Sequence, residues 1–153
     1  MTAIAQPAIN TLLKLGNAGS PESYTLIANV GDITGPSYGA TIVDVTSHST
    51  SIPWRQKITT LLDGGQVTFK LFFIPNDSGH KLLLATFYNR GAAGQAAGVP
   101  PQWSLTYPDT SATTVYFTGF ISKFPVTATV AGVLEATVTI DVTGEPIYPG
   151  VDA

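Results

Sequence analysis

Residues 134–143 alternate between apolar and polar side chains without a break. The even positions are Leu134, Ala136, Val138, Ile140 and Val142, and the odd positions are Glu135, Thr137, Thr139, Asp141 and Thr143. Side chains of a β-strand point alternately to opposite faces, so this segment has one apolar face and one polar face. The pattern predicts a half-buried strand and excludes a helix.

The composition indicates a subunit of an assembly. A chain of 153 residues has room for a single domain with an apolar core, which we expect to span residues 1–153. Charged residues make up only 11% of it, against about 25% in typical soluble domains. Because soluble monomers usually carry more surface charge, we expect part of the surface to be covered by other protein.

Several classes of function find no support. The net charge is −3 and the seven basic residues are scattered, which argues against tight nucleic-acid binding. The absence of cysteine excludes disulfides and thiolate metal sites. No apolar run reaches the ~18 residues that cross a bilayer, and the N-terminal residues do not read as a signal peptide. We therefore expect no membrane association.

We also expect no metal, no cofactor and no catalysis. His48 and His80 each lack a second ligand at metal-binding spacing. Glu135 and Asp141 share a strand face, but six residues at ~3.3 Å each place them about 20 Å apart. A glycosidase pair requires roughly 5–9.5 Å, so the two carboxylates cannot act together within one subunit.

The rest of the chain reads as mainly β. We predict about seven strands, at 11–15, 24–30, 41–46, 66–74, 102–107, 113–124 and 134–143, with turns between them, including one at 31–39. A helix is predicted over residues 79–90, capped by Asp77 or Ser78 and ended by Arg90 and Gly91. Its apolar stripe would pair Leu83 with Phe87 and Leu84 with Tyr88. The predicted fold is an antiparallel β-sandwich or open barrel with one flanking α-helix.

Residues 47–65 show no sustained period, although 57–61 are compatible with a brief strand. A connection of this length usually has a function. Two readings are open: a surface loop packed on its own domain, or an extended arm that contacts a neighbouring subunit through Trp54. The candidate contact residues are His48, Ile52, Trp54, Arg55, Lys57, Leu61 and Leu62. Residues 1–10 are predicted as a flexible arm and residues 145–153 as an irregular C-terminal arm, both further candidates for contacts.

An ordered series of short motifs resembles one known family. The series is 13–16 (LKLG), 24–28 (YTLIA), 31–34 (GDIT), 42–46 (IVDVT), His48, Arg55, 62–69 (LDGGQVTF), 80–83 (HKLL), 117–122 (FTGFIS) and 135–144 (EATVTIDVTG). It is similar to the major tail tube proteins of long-tailed, non-contractile bacteriophages over about residues 11–146. We expect the loop at 92–101 to be longer here than in those relatives.

The resemblance implies a structural virion protein rather than an enzyme. Six copies would close into a ring around an inner β-barrel, and rings would stack into a hollow tube, as in the related type VI secretion tube protein. The implied partners are other copies of the chain and the tape measure, tail-tip and tail-terminator proteins. The protein would be made in the bacterial cytoplasm and end in the virion, with DNA passing through the lumen without specific binding.

The polar face of residues 134–143 then has a candidate role. We expect Glu135, Thr137, Thr139 and Asp141 to line the lumen, because acidic and hydroxyl groups do not hold phosphate as a basic lining does. The alternative is that this face is simply solvated outer surface. A rival function is a carbohydrate- or receptor-binding β-sandwich, in which Trp54 and Trp103 would stack on sugar rings.

Overall fold

The computed structural model describes residues 5–16, 23–49, 51–88 and 100–151. Their elements in chain order are β1 (Leu12–Gly16), β2 (Tyr24–Leu26), β3 (Val30–Thr34), β4 (Gly39–Asp44), β5 (Lys57–Asp63), β6 (Gln66–Phe72), α1 (Ser78–Tyr88), β7 (Gln102–Thr106), β8 (Thr114–Lys123), β9 (Val126–Ala128) and β10 (Leu134–Ile147). The mainly β fold with one helix in this part of the chain is confirmed. The connection between the first two predicted strands, most of the 92–101 loop, and the helix end at Arg90 and Gly91 lie outside the described residues.

One large antiparallel sheet carries the fold. Its strand order is β2-β1-β7-β8-β10-β6-β3, and β9 pairs with the start of β10. β2 and β3 lie at opposite edges, yet only residues 27–29 separate them in the chain. Four Cα steps of about 3.8 Å hold the two edges within about 15 Å of each other. The sheet therefore curls back on itself as an open barrel.

The core lies inside this curl. Trp103, Phe69 and Phe117 are its largest fully buried or nearly fully buried side chains, and α1 adds Leu83. Since each buried aromatic or leucine side chain contributes about 1.5–3 kcal/mol, this single cluster is the main stabilising element of the monomer.

β10 occupies the centre of the sheet, between β8 and β6. Ala136, Val138 and Ile140 are buried, as the alternation predicts. The strand continues beyond residue 143 to Ile147, so the irregular C-terminal arm predicted at 145–153 begins later than expected. Proline cannot donate to a strand ladder. The strand therefore carries a register irregularity after Thr143, which accommodates Pro146.

The start of α1 matches one of the two predicted caps. The Asp77 carboxylate accepts hydrogen bonds from the backbone N–H groups of Gly79 (3.0 Å) and His80 (3.2 Å). The His80 ring is fully buried, and its Nδ1 accepts from the Ile74 N–H at 2.9 Å while its Nε2 lies 2.9 Å from the Ala28 carbonyl oxygen. The helix is thereby tied to the connection that joins the two edges of the sheet.

Three local predictions were wrong in detail. The strand predicted at 24–30 is divided into β2 and β3, because the chain crosses from one sheet edge to the other at a turn over residues 28–29. The turn predicted at 31–39 therefore contains most of β3. On α1, Leu83 is buried, but Tyr88 is 75% exposed, so the second apolar pair does not face the core.

Candidate assembly and lumen surfaces

A hairpin stands apart from the large sheet. β4 and β5 pair only with each other, and every residue of both strands is exposed. We call β4, β5 and the connecting residues 45–56 the hairpin arm. The loop predicted at 47–65 is therefore shorter than expected, because residues 57–63 form a strand. The brief strand considered at 57–61 is therefore present and extends to Asp63.

Both faces of the hairpin arm are apolar. Val43 lies opposite Ile58, and Ala40 lies opposite Leu62. Paired residues share a face and successive residues alternate, so Val43 and Ile58 lie on one face while Ile42 lies on the other. Leu61 is 73% exposed and Leu62 is 80% exposed. An exposed apolar surface of this kind is typical of regions that bind other protein.

The tip of the hairpin arm carries the other predicted contact residues. Trp54 is 74% exposed, and His48 and Ile52 are also exposed. Arg55 Nη1 contacts Asp44 Oδ2 at 2.8 Å. Hydrogen bonds from Thr46, followed by the one from Arg55, hold the pKa of Asp44 below its usual value. The described residues of the connecting loop, 45–49 and 51–56, are exposed, which favours the second of the two readings of this segment.

A second surface is formed by the side chains that point away from the core on three adjacent strands, β6, β8 and β10. We call it the polar face, and its members include Gln66, Thr68, Lys70, Thr118, Phe120, Glu135, Thr137, Thr139, Asp141 and Thr143. All four predicted lumen residues therefore share one surface. Thr137 lies opposite Lys70, Thr139 opposite Thr68, and Asp141 opposite Gln66.

The polar face is less acidic than its β10 residues suggest. Lys70 Nζ lies 3.1 Å from Glu135 Oε1, and Gln66 Nε2 donates to Asp141 Oδ1 at 2.6 Å. The register also places Lys123 opposite Thr139. The three strands together carry two lysines, Lys70 and Lys123, and three carboxylates, Glu135, Asp141 and Glu145, so their formal charge is only −1. Sequence reasoning missed Lys70 and Lys123 because their place beside β10 depends on strand register.

The packing behind the polar face removes one argument for sugar binding. Trp103 is fully buried, and its Nε1 donates to the Gly119 carbonyl oxygen at 3.1 Å. Its ring cannot stack on a ligand, so the rival function loses one of its two aromatic platforms. Gly119 brings β8 close to β10, since a Cβ there would lie 2.6 Å from the Asp141 carbonyl oxygen.

Two kinds of feature, metal-ligand clusters and membrane-spanning helices, are absent from the part of the chain that the structure describes. Its histidines, aspartates and glutamates nowhere gather in a group of three or more that would hold a metal ion. None of its helical segments has the length and apolar character that crossing a membrane requires.

Solved structures with this fold are tail and injection tubes. The tail of an empty gene transfer agent particle, determined with C6 symmetry, aligns with a TM-score of 0.74 at 18% identity over 94% of this chain and 98% of that chain. The SPP1 tail tube aligns with a TM-score of 0.64 at 10% identity over 90% and 77% of the two chains. The sheath-tube complex of an extracellular contractile injection system gives 0.66 at 10% identity over 94% and 90%.

Sequence comparison places the chain in a family. No curated protein sequence matches it, but the family model described as lambda phage tail tube protein matches residues 10–149. That match covers most of the hairpin arm, the polar face and the core. The sugar-binding alternative receives no support from these comparisons, and the matching family is a structural one. The chain belongs to the lambda phage tail tube protein family and is a structural protein of a virion tail.

Proposed function

We propose that six copies of this chain close into a ring and that the rings stack into a hollow tube through which DNA passes. The observation that carries the proposal is the hairpin arm, which exposes apolar side chains on both faces. A two-stranded hairpin is at best marginally stable alone in water. Contact with neighbouring subunits supplies the burial that the monomer does not provide.

The number of subunits and the closure into a ring rest on separate supports. The tail of the gene transfer agent particle, which shares this fold, was determined with C6 symmetry. A ring that joins the open sheets of adjacent subunits also protects their edge strands, which would otherwise pair without control. In such a ring the hairpin arm and both terminal segments, 1–10 and 145–153, contact neighbouring subunits.

The polar face lines the lumen in this proposal. It is wide, hydroxyl-rich and continuous across β6, β8 and β10, and it leaves the opposite side of the sheet to the core. DNA passes along it without specific binding. A tape measure protein inside the tube, a tail-tip protein at one end and a terminator at the other complete the set of partners.

Negative-stain electron microscopy of the purified protein, across protein and salt concentration, tests the architecture. We expect sixfold rings or tubes with a lumen wide enough for duplex DNA, about 20 Å across. Monomers under every condition, including after addition of a tail-tip complex, would refute the proposal.

Cysteine labelling tests which surface faces inward. The chain contains no cysteine, so a Thr137→Cys variant carries a single thiol on the polar face. In tubes we expect reaction with a small maleimide but not with a maleimide attached to a large protein, whereas the unassembled variant should react with both. Equal reaction of tubes with the large reagent would place the polar face outside.

A further inference from the structure

We propose that Glu135 masks Lys70 on the polar face and thereby prevents the tube from holding DNA phosphate. This inference rests on the proposed function, since it assigns a role to an ion pair on the surface proposed to line the lumen. It concerns the interaction of that surface with a polyanion, and it adds to repulsion by acidic residues the local neutralisation of one lysine.

The geometry brings the two groups together from different strands. Lys70 lies on β6 and Glu135 on β10, and their charged atoms are 3.1 Å apart. Both side chains are partly exposed, so a phosphate group can approach them. The Lys70 ammonium also lies 5.4 Å from the centre of the Phe72 ring, and this cation–π contact helps to hold the ammonium on the polar face. Lys70 therefore remains on the polar face when its carboxylate partner is removed.

The charge of the surroundings explains why the masking matters. Lys123 is the other lysine on β6, β8 and β10, and Asp141 and Glu145 are the other carboxylates, so the Lys70–Glu135 pair lies on strands with a formal charge of only −1. A free lysine that neutralises a phosphate releases a counterion, which makes DNA binding salt-dependent. In a ring of six, loss of Glu135 exposes six such lysines at one level of the lumen. DNA would then be retained instead of passing through.

Retention of a short fluorescent duplex by pelleted tubes, measured between 50 and 200 mM NaCl, tests this inference. We expect wild-type tubes to retain little duplex, with little dependence on salt. Glu135→Gln tubes should retain more, and their affinity should fall about threefold over this range for each phosphate held. The Lys70→Gln/Glu135→Gln double variant has the same net charge as the wild type and no lysine at position 70, so it should behave like the wild type.

A matched control separates this surface from the rest of the molecule. Asp77→Asn removes one carboxylate at the start of α1, outside the polar face and the hairpin arm, and asparagine can still cap the helix. Retention by Asp77→Asn tubes equal to that by Glu135→Gln tubes would overturn the inference, as would salt-insensitive binding by Glu135→Gln. If Glu135→Gln alone does not assemble, tubes of wild type mixed with the variant should retain duplex in proportion to the variant fraction. Failure of the wild type to form tubes would instead refute the proposed function itself.

Discussion

Trp54→Ala should weaken assembly far more than it weakens the folded subunit. Trp54 lies at the tip of the hairpin arm and is 74% exposed in the monomer. The substitution therefore removes a side chain that has few partners within its own chain. Its main effect should appear only when subunits meet.

The exposed fraction sets the expected magnitudes. An aromatic side chain has about 150–250 Å² to bury. For Trp54 about three quarters of that area remains for a neighbour, which at ~25 cal/mol per Å² amounts to about 3–5 kcal/mol per subunit if burial is complete. The part already buried in the monomer amounts to only about 1–1.6 kcal/mol. At ~1.4 kcal/mol for each factor of ten, the critical concentration for assembly should rise about 100-fold or more.

Sedimentation of tubes as a function of protein concentration measures the first quantity, and urea unfolding of the unassembled subunit measures the second. Tyr88→Ala is a matched control, because Tyr88 is an aromatic residue of nearly equal exposure, 75%, at the end of α1. Equal losses of assembly and monomer stability in Trp54→Ala would refute the reasoning. An equal rise in critical concentration for Tyr88→Ala would show that the hairpin arm has no special role.

Three further predictions concern the subunit itself. His80→Ala should lower the free energy of unfolding by about 1–3 kcal/mol, because the Ile74 N–H loses its acceptor; an unchanged urea midpoint would contradict this. Gly119→Ala should cost about 1–3 kcal/mol because its Cβ would overlap β10, whereas Gly39→Ala, with open space around it, should leave the urea midpoint unchanged. Hydrogen bonds from Thr113 lower the folded-state pKa of Asp109, so its stabilisation is present above the unfolded-state pKa and is lost as the pH falls through the folded value. Asp109→Asn should therefore melt below the wild type at pH ~7 and close to it at pH ~2, and a gap that does not change with pH would refute this.

The core strands could be predicted because the chain buries one of their faces itself. Val115, Phe117 and Ile121 on β8 lie inside, as their alternate spacing predicts, and so do the even positions of β10. Trp103 was a candidate for stacking on sugar rings at the surface. It lies two residues before Leu105 on β7, and this spacing was the available signal that both side chains point inward. Periodicity is informative wherever a strand has one dry face.

The full length of β5 and the lysines of the polar face could not be predicted, for physical reasons. β5 has apolar residues on both sides, and such a strand shows no alternation when both faces remain exposed in the subunit. The Lys70–Glu135 pair joins positions 65 residues apart in sequence, and only the register of β6 on β10 brings them together. The resemblance to tail tube proteins predicted which surfaces would contact neighbouring subunits or line a lumen, but it did not predict the charges on those surfaces.

The central place of β10 has a consequence for the order in which the subunit folds. β10 is the last strand in the chain, yet it joins the group β2-β1-β7-β8 to the pair β6-β3. During synthesis these two groups have no shared ladder until β10 leaves the ribosome, whereas the β4–β5 hairpin is local and can form early. The hairpin arm, with its exposed apolar side chains, is therefore synthesised well before the core to which it is attached is complete. Nascent subunits pass through a period in which association is possible but the globule is incomplete, and this period ends when the last strand inserts.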